Sequence, residues 1–302
     1  MPSTAQVMVD ELARAVTAGG TVRALAVVTT DLVEEARVRH GTLPTATAAL
    51  GRGLTAGLLL GGMLKTGERI SLEFSGDGPL RSILVDATPE GVVRGFVSRP
   101  RTHLPARAGK LDVGGALGRG ILCVMRTSLE GAPYRSIVPL VSGEIGNDVA
   151  RYLLDSEQTP SAVGVGVYVD ADGRVRAAGG YVVQTMPGAE STTAEQLESN
   201  VGRCAAPSEL VRAGLDARAV LAHLLAGFPA PVVEAGPVRF GCHCSRERVG
   251  AALVAMGRAE LADVLAGDRQ AEVICEFCAQ RYLVEEAELR ALLAGADGGV
   301  AE

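Results

Sequence analysis

Three strand-like runs follow one another in RISLEFSGDGPLRSILVDATPEGVVRGFVSRP, residues 69–100. They are separated by Gly-Asp-Gly and Pro-Glu-Gly, and glycine supplies the positive φ that tight turns require. Runs of this kind, bounded by turn residues, are typical of a meander of neighbouring strands. The stretch therefore predicts three consecutive strands, so the N-terminal part of the chain contains a β-sheet.

The segment before these strands is the most apolar of the chain. Residues 46–65 read ATAALGRGLTAGLLLGGMLK, and Arg52 interrupts the apolar run. The uninterrupted part is shorter than the roughly 18–20 residues that a membrane span needs. We therefore predict a buried helix rich in small residues, not a transmembrane helix.

Further elements of both kinds flank these segments. Strands are predicted over 22–30 and 121–129, a hairpin over 161–188, and helices over 6–18, 31–39 and 142–158. Asp31 is the candidate N-cap of its helix. Because strands and helices do not alternate strictly, the pattern predicts an α+β fold with a mixed sheet-and-helix domain over residues 1–188.

The sequence changes character after Pro187. Residues 189–235 are predicted as a helical linker, and strand signals vanish as far as residue 237. Ser208 and Asp216 are candidate N-caps. An apolar stripe is formed by Leu210, Val220, Leu221, Leu224 and Leu225. Short helices are marginal alone, so the linker depends on packing against another part of the protein.

Four of the six cysteines lie in the last predicted domain, residues 236–302. They form Cys242-x-Cys244 and Cys275-x-x-Cys278, two close pairs that together offer the four thiolates of a closed tetrahedral zinc site. His243 is a weaker candidate because its neighbours on both sides are better placed. We predict one Zn²⁺ per chain, bound by these four cysteines.

Two interpretations of the zinc site stay open at this point. A module of this size buries too little apolar surface to fold securely alone, whereas structural zinc contributes about 10–16 kcal/mol that is coupled to folding. The site is then a permanent structural element, which the spacing alone favours. In the other interpretation, oxidation of the thiolates to disulfides ejects the metal, unfolds the module and deprives the helical segment before it of a packing partner.

No catalytic constellation is visible in the sequence. P-loop, dinucleotide-binding and G-x-S-x-G motifs are absent, and His40, His103 and His223 have no local partners for a triad. Cys123 and Cys204 are predicted to serve packing. We therefore expect no enzyme.

Charge and terminal sequence restrict the partners and the compartment. The chain has 29 basic and 35 acidic residues, a formal charge of -6, which argues against nucleic acid. The N-terminus lacks the basic and apolar regions of a secretory signal, and no segment reaches the length of a membrane span. We therefore predict a cytoplasmic protein, in a compartment that keeps thiols reduced.

The cysteine motifs resemble those of the redox-regulated 33 kDa heat-shock chaperones, the heat shock protein 33 family. CHCSRER and CEFCAQRY match that family's C-x-C-S-R-E-R and C-x-x-C-x-x-x-Y patterns. The resemblance continues upstream in PLVSGEIGNDVARYLLDSEQTPSAVGVGVYVD, AAGGYVVQTMPG and SGDGPLRSILVDATPEGVVRG, in the expected order over nearly the whole chain. One departure is CVMRTSL (123–129), where the family usually has a Thr-Lys-Asp-Leu run.

The resemblance implies an ATP-independent holdase that is zinc-bound and inactive when reduced. Under oxidative stress it implies Cys242–Cys244 and Cys275–Cys278 disulfides, zinc release, and unfolding of the C-terminal module and linker. Exposed apolar surface then captures unfolding client proteins, often with homodimerisation. The resemblance further implies client transfer to ATP-dependent chaperones after re-reduction.

Two rival functions belong to other classes. A thiol–disulfide oxidoreductase would use Cys275-x-x-Cys278, but no βαβ thioredoxin pattern surrounds that motif. A zinc-bearing adaptor for nucleic acid or a protein partner is disfavoured by the acidic charge. Turnover in insulin reduction would support the first, and salt-dependent binding the second.

Overall fold

A computed structural model describes residues 9–128, 131–229 and 232–295. The chain divides into two compact units, unit 1 (Met1–Gly241) and unit 2 (Cys242–Glu302). Each unit combines helices with sheet and has its own hydrophobic cluster. The α+β prediction is confirmed. The three-part division into client-binding domain, linker and zinc module is a functional one and stays a prediction.

The elements of unit 1 are as follows. Its strands are β1 (Glu11–Val16), β2 (Val22–Val28), β3 (Arg69–Gly76), β4 (Ser82–Ala87), β5 (Val92–Val97), β6 (Gly120–Thr127), β7 (Tyr134–Pro139), β8 (Ser161–Val169), β9 (Val175–Thr185), β10 (Val232–Pro237) and β11 (Arg239–Phe240). Its helices are α1 (Thr30–His40), α2 (Pro44–Gly61), α3 (Val113–Leu117), α4 (Gly146–Asp155), α5 (Ser191–Arg203), α6 (Pro207–Arg212) and α7 (Ala217–Leu224).

These strands form two sheets. Sheet 1 has the order β10-β1-β2-β9-β8 and is antiparallel throughout. Sheet 2 has the order β11-β5-β4-β3-β6-β7, and only its β11–β5 pair is parallel. The predicted meander over 69–100 is the β3-β4-β5 core of sheet 2, and the predicted hairpin over 161–188 is β8-β9. Both predictions are confirmed.

Helix α2 is packed between the two sheets, which explains its small residues. A Cβ added at Gly57 would lie 2.6 Å from Val85 in sheet 2, and one added at Gly51 would lie 2.8 Å from Val167 in sheet 1. Close approach on both sides therefore requires glycine at these positions. The predicted buried helix is confirmed. Among the described residues, no helix is long and apolar enough to cross a membrane.

The outer face of sheet 1 is covered by α5, α6 and α7, here called the linker helices. Alternate residues of β2 and β9 form one hydrophobic cluster with them. The strand side chains include Val22, Ala24, Ala26, Tyr181 and Val183. The helix side chains include Leu197, Leu210, Val220, Leu221, Leu224 and Leu225. The predicted apolar stripe is thus buried against a sheet, as short helices require.

Two sequence predictions of secondary structure were wrong. Within the expected helix over 6–18 the structure has strand β1 and no helix among the described residues, and residues 6–8 lie outside the described residues. The expected absence of strands up to residue 237 fails at β10, which pairs with β1 from Glu11↔Pro237 to Val16↔Val232. Hydrogen bonding between segments so far apart in sequence overrides local helical periodicity.

One of the three predicted helix N-caps is confirmed, and two are wrong. Asp216 is confirmed as the N-cap of α7, since its Oδ1 accepts from the N–H of Ala219 at 2.7 Å. Asp31 lies inside the first turn of α1, whose N-cap is Thr29. Ser208 lies within α6, which begins at Pro207. Proline suits the first position of a helix because the N–H it lacks would have no partner inside the helix there.

Unit 2 is small and has a correspondingly small core. It contains α8 (Arg246–Ala255), α9 (Arg258–Gly267), β12 (Gln270–Ile274), β13 (Arg281–Glu285) and α10 (Glu286–Gly295). Its buried apolar cluster consists of Val249, Leu253, Leu261, Val284 and Leu289. Five buried apolar side chains in its cluster are few for an independent domain, so further cross-links are expected to stabilise this unit.

Candidate metal centre

The four cysteines of unit 2 are presented by two short connections. Cys244 directly precedes Ser245, whose hydroxyl oxygen accepts from the N–H of Arg248 and so begins helix α8. Cys275 and Cys278 lie in the turn between β12 and β13. That turn is closed by the N–H of Cys275, which donates to the Gln280 carbonyl at 3.0 Å. A helix start and a hairpin turn therefore bring two cysteine pairs to one place.

The thiol sulfurs form a compact group. All four Sγ atoms lie within 4.8 Å of one another, with 3.7 Å between Cys242 and Cys275 and 3.4 Å between Cys244 and Cys278. Four sulfurs at tetrahedral Zn–S bonds of about 2.3 Å would be about 3.8 Å apart. The structure brings these predicted ligand residues together, as free thiols, at the spacing that a metal ion needs. We call them the four-thiol centre; their role as ligands stays a prediction.

His243 lies between two of these cysteines but outside the cluster of ligand atoms. Its backbone carbonyl accepts from Arg248 Nη1 at 3.2 Å. This placement is consistent with the prediction that His243 is not a ligand.

Protonation of the centre depends on a cation. Burial raises the pKa of the Cys278 thiol and that of the Cys275 thiol above the usual range for cysteine. Burial also acts on Cys242, but the N–H of Cys244 and the neighbouring thiols donate to its sulfur and bring its pKa to about 7. Without a metal, the close sulfurs resist ionising together. A divalent ion that prefers soft sulfur donors would supply the charge that allows all four to bind as thiolates.

Sequence reasoning missed a fifth side chain at the centre. The hydroxyl of Tyr282 donates to Cys244 Sγ at 3.1 Å, and this hydrogen bond raises the pKa of the phenol to about 12. Tyr282 therefore stays protonated and acts as a donor. The position was visible in the C-x-x-C-x-x-x-Y pattern, where no role was assigned to it.

Arg246 fastens the helix that follows Cys244. Its Nε and Nη2 donate to the Glu288 carboxylate at 3.1 and 2.5 Å, and Nη2 also donates to the Leu283 carbonyl at 2.9 Å. One side chain thus ties α8 to β13 and α10. The arrangement holds the Cys244 connection against the hairpin that carries the other pair.

The two remaining cysteines belong to unit 1. Cys123 on β6 is only 7% exposed, as predicted for a small buried residue, and Arg135 Nε lies 3.3 Å from its sulfur. Cys204 is half-buried and packs against the cluster under the linker helices, where burial raises its pKa.

Comparison with known proteins places the chain in a family. A family model described as Hsp33 protein matches residues 10–285. The chain belongs to the Hsp33 family. The 33 kDa chaperonin of Geobacter sp. (strain M21) is 45% identical over 288 residues, which cover 95% of this chain and 98% of that protein. That of Gloeothece citriformis (strain PCC 7424) is 48% identical over 292 residues, covering 95% and 97%.

The fold agrees with an Hsp33 crystal structure. The 33 kDa chaperonin of Thermotoga maritima superposes with a TM-score of 0.90 at 37% identity, covering 96% of this chain and 99% of that one. The resemblance inferred from the cysteine motifs is therefore confirmed. Hsp33 proteins are chaperones and not an enzyme family, which supports a chaperone function and the absence of catalysis.

Proposed function

We propose that this protein is a redox-regulated, ATP-independent holdase. It is inactive when reduced with Zn²⁺ bound, and active after disulfide formation, zinc release and unfolding of unit 2 and the linker helices. The observation that carries this proposal is the four-thiol centre in a unit with a very small core. Such a unit depends on its metal for folding.

Zinc is the metal that the donor set favours. Four thiolates at tetrahedral spacing, without carboxylate or imidazole, suit Zn²⁺ in a closed site. When bound, the ion supplies the charge that keeps four thiolates together and cross-links α8 to the hairpin. We propose one ion per chain, held by Cys242, Cys244, Cys275 and Cys278.

Oxidation removes these ligands in pairs. Two thiolates lose two electrons and form an S–S bond, while a peroxide gains them, breaks its O–O bond and becomes two waters with protons from solvent. We propose Cys242–Cys244 and Cys275–Cys278 as the pairs, because each closes over only one or two residues. Hypochlorous acid, like a peroxide, is a two-electron oxidant.

The proposed client surface is the face of sheet 1 beneath the linker helices. Unfolding of those helices would uncover Val22, Ala24, Ala26, Tyr181 and Val183, a contiguous row of apolar side chains that is now buried. Exposed contiguous apolar surface is what capture of unfolded chains requires. The chain runs from α7 through β10 and β11 directly to Cys242, which supports coupling between the two events.

The proposal includes the setting and the partners. Reduced thiols at rest suit the cytoplasm. The clients are unfolding proteins, with transfer to ATP-dependent chaperones after re-reduction and homodimerisation in the oxidised state. Nucleic acid and membranes are not partners in this account.

Light scattering of a thermally aggregating client tests the proposal. The protein is added either reduced and zinc-loaded or after mild peroxide treatment, at equal concentration. Suppression by the oxidised form alone supports the redox-regulated holdase. Equal suppression by both forms, or none by either, would leave the four cysteines as a structural zinc site.

A further inference from the structure

We propose that Tyr282 is a positioning residue that sets how readily the four-thiol centre is oxidised, through the hydrogen bond from its hydroxyl to Cys244 Sγ. The inference rests on the proposed function, because it concerns the sensitivity of that same redox site. In this proposal, one side chain outside the four ligands determines how much oxidant is needed before the metal is lost.

The core of unit 2 holds the Tyr282 donor in place. Tyr282 pairs with Val273 in the β12-β13 ladder, and its ring packs against the hydrophobic cluster that contains Val284 and Leu289. The Oη–Sγ distance is 3.1 Å. A phenol ring that is packed on its apolar side directs its hydroxyl with little freedom. The hydrogen bond is therefore part of the folded unit and not a chance surface contact.

The hydrogen bond also changes the electron density on the Cys244 sulfur. A thiolate reacts with oxidants through a sulfur lone pair, and an O–H donor withdraws density from that sulfur. Four thiolates around one divalent ion carry an excess of negative charge, which a hydrogen bond also stabilises. Donation from Tyr282 thus makes Cys244 a weaker nucleophile and a better retained ligand.

The reaction that is slowed can be written in two steps. The Cys244 sulfur attacks a hydrogen peroxide oxygen, so an S–O bond forms, the O–O bond breaks and hydroxide leaves. A second thiolate of the centre attacks the oxidised sulfur, an S–S bond forms, the S–O bond breaks and hydroxide leaves again. Both hydroxides take protons from solvent, and the peroxide is reduced to two waters. The hydrogen bond opposes the first step.

Tyr282→Phe tests the inference in the full-length protein, reduced and zinc-loaded. The substitution removes the hydroxyl and keeps the packed ring. We expect zinc release after addition of hydrogen peroxide, followed with a colorimetric chelator, to be about 10-fold faster than in the unsubstituted protein, at the lower end of what partners of metal ligands contribute. Tyr134→Phe, which removes an exposed hydroxyl from β7 in unit 1, is the matched control and should release zinc at the original rate.

Site-resolved alkylation distinguishes positioning from general destabilisation. Without oxidant, iodoacetamide labelling followed by mass spectrometry should show faster modification of Cys244 in the Tyr282→Phe protein, with Cys275 unchanged. Equal acceleration at all four cysteines would mean that the variant only loosens the unit, and it would overturn the inference. A release rate within two-fold of the original would overturn it as well.

These readouts do not depend on chaperone activity. If the protein proves not to be a holdase, the rates of zinc release and alkylation still report on Tyr282. If the holdase is established but the Tyr282→Phe rates are unchanged, the inference alone is lost.

Discussion

Asn200 on α5 donates from Nδ2 to the carbonyl oxygen of Leu224, the last residue of α7, at 2.9 Å. The same nitrogen also donates to the Ala226 carbonyl at 2.9 Å, and Asn200 is only 3% exposed. One buried amide therefore joins two linker helices that are each too short to be stable alone. Loss of this amide is therefore expected to weaken the contact between α5 and α7.

Asn200→Ala is expected to loosen the linker helices. It leaves the Leu224 carbonyl without its buried donor, at a cost of about 1–3 kcal/mol, whereas the Ala226 carbonyl still accepts from Gln196 Nε2 at 3.2 Å. Hydrogen exchange over residues 191–224 should become faster in the reduced, zinc-bound protein, and some holdase activity should appear without oxidant. Asn147→Ala, at an exposed position on α4, is the matched control. Unchanged exchange in the Asn200→Ala protein would show that the amide does not secure the linker.

Measurement of bound zinc should distinguish the cysteines of the four-thiol centre from the other two cysteines. Cys275→Ser with Cys278→Ser removes two ligands, so bound zinc should fall from one per chain to nearly none. Because apparent zinc binding contributes about 10–16 kcal/mol to such folds, hydrogen-exchange protection over α8–α10 should be lost. Cys123→Ser with Cys204→Ser should retain one zinc and full protection. Retention of zinc by the first double variant would contradict the assigned ligand set.

The stability of unit 1 should carry a pH dependence from Asp10. Its carboxylate accepts from the N–H groups of Asp31 and Leu32 at the start of α1, yet burial dominates and raises its pKa from 3.8 to about 6. A pKa raised in the folded state means that the native protein binds the proton more tightly. The resulting stability is full below about pH 4 and is lost as pH rises through about 6.

Asp10→Asn removes this titration while keeping a polar side chain at the helix start. The free energy of unfolding of the unsubstituted protein, relative to that of this variant, should fall by about 2.4 kcal/mol between pH 4 and pH 7. Urea unfolding at a series of pH values measures it. Asp263→Asn, an exposed carboxylate in unit 2, controls for loss of one charge. Parallel curves for the Asp10→Asn and unsubstituted proteins would contradict the burial argument.

Local patterns in the sequence predicted the parts of the fold that local chemistry decides. The β3-β4-β5 meander has its turn residues beside it, and α2 carries the small apolar residues that its position between two sheets requires. The close approach of the four cysteines was predictable for the same reason, since residue type and spacing indicate a metal site.

Features that depend on distant segments were not predictable. Strand β1 pairs with β2 and with the distant β10, and the carboxylate that accepts from the first N–H groups of α1 belongs to Asp10, outside that helix. Tyr282 reaches Cys244 only because the β12-β13 register places Tyr282 opposite Val273. Hydrophobic periodicity carries no information about such pairings, so the sequence suggested a helix where the sheet required a strand.

The central claim, that loss of the four-thiol centre switches on client binding, is tested most directly by one peroxide titration. In each sample, released zinc, disulfides identified by peptide mapping, and suppression of client aggregation are measured together, using the Cys123→Ser, Cys204→Ser protein. The account predicts that activity rises in proportion to zinc release, to one ion per chain, with Cys242–Cys244 and Cys275–Cys278 as the mapped pairs. Full activity while zinc is still bound, or complete zinc release without activity, would contradict it.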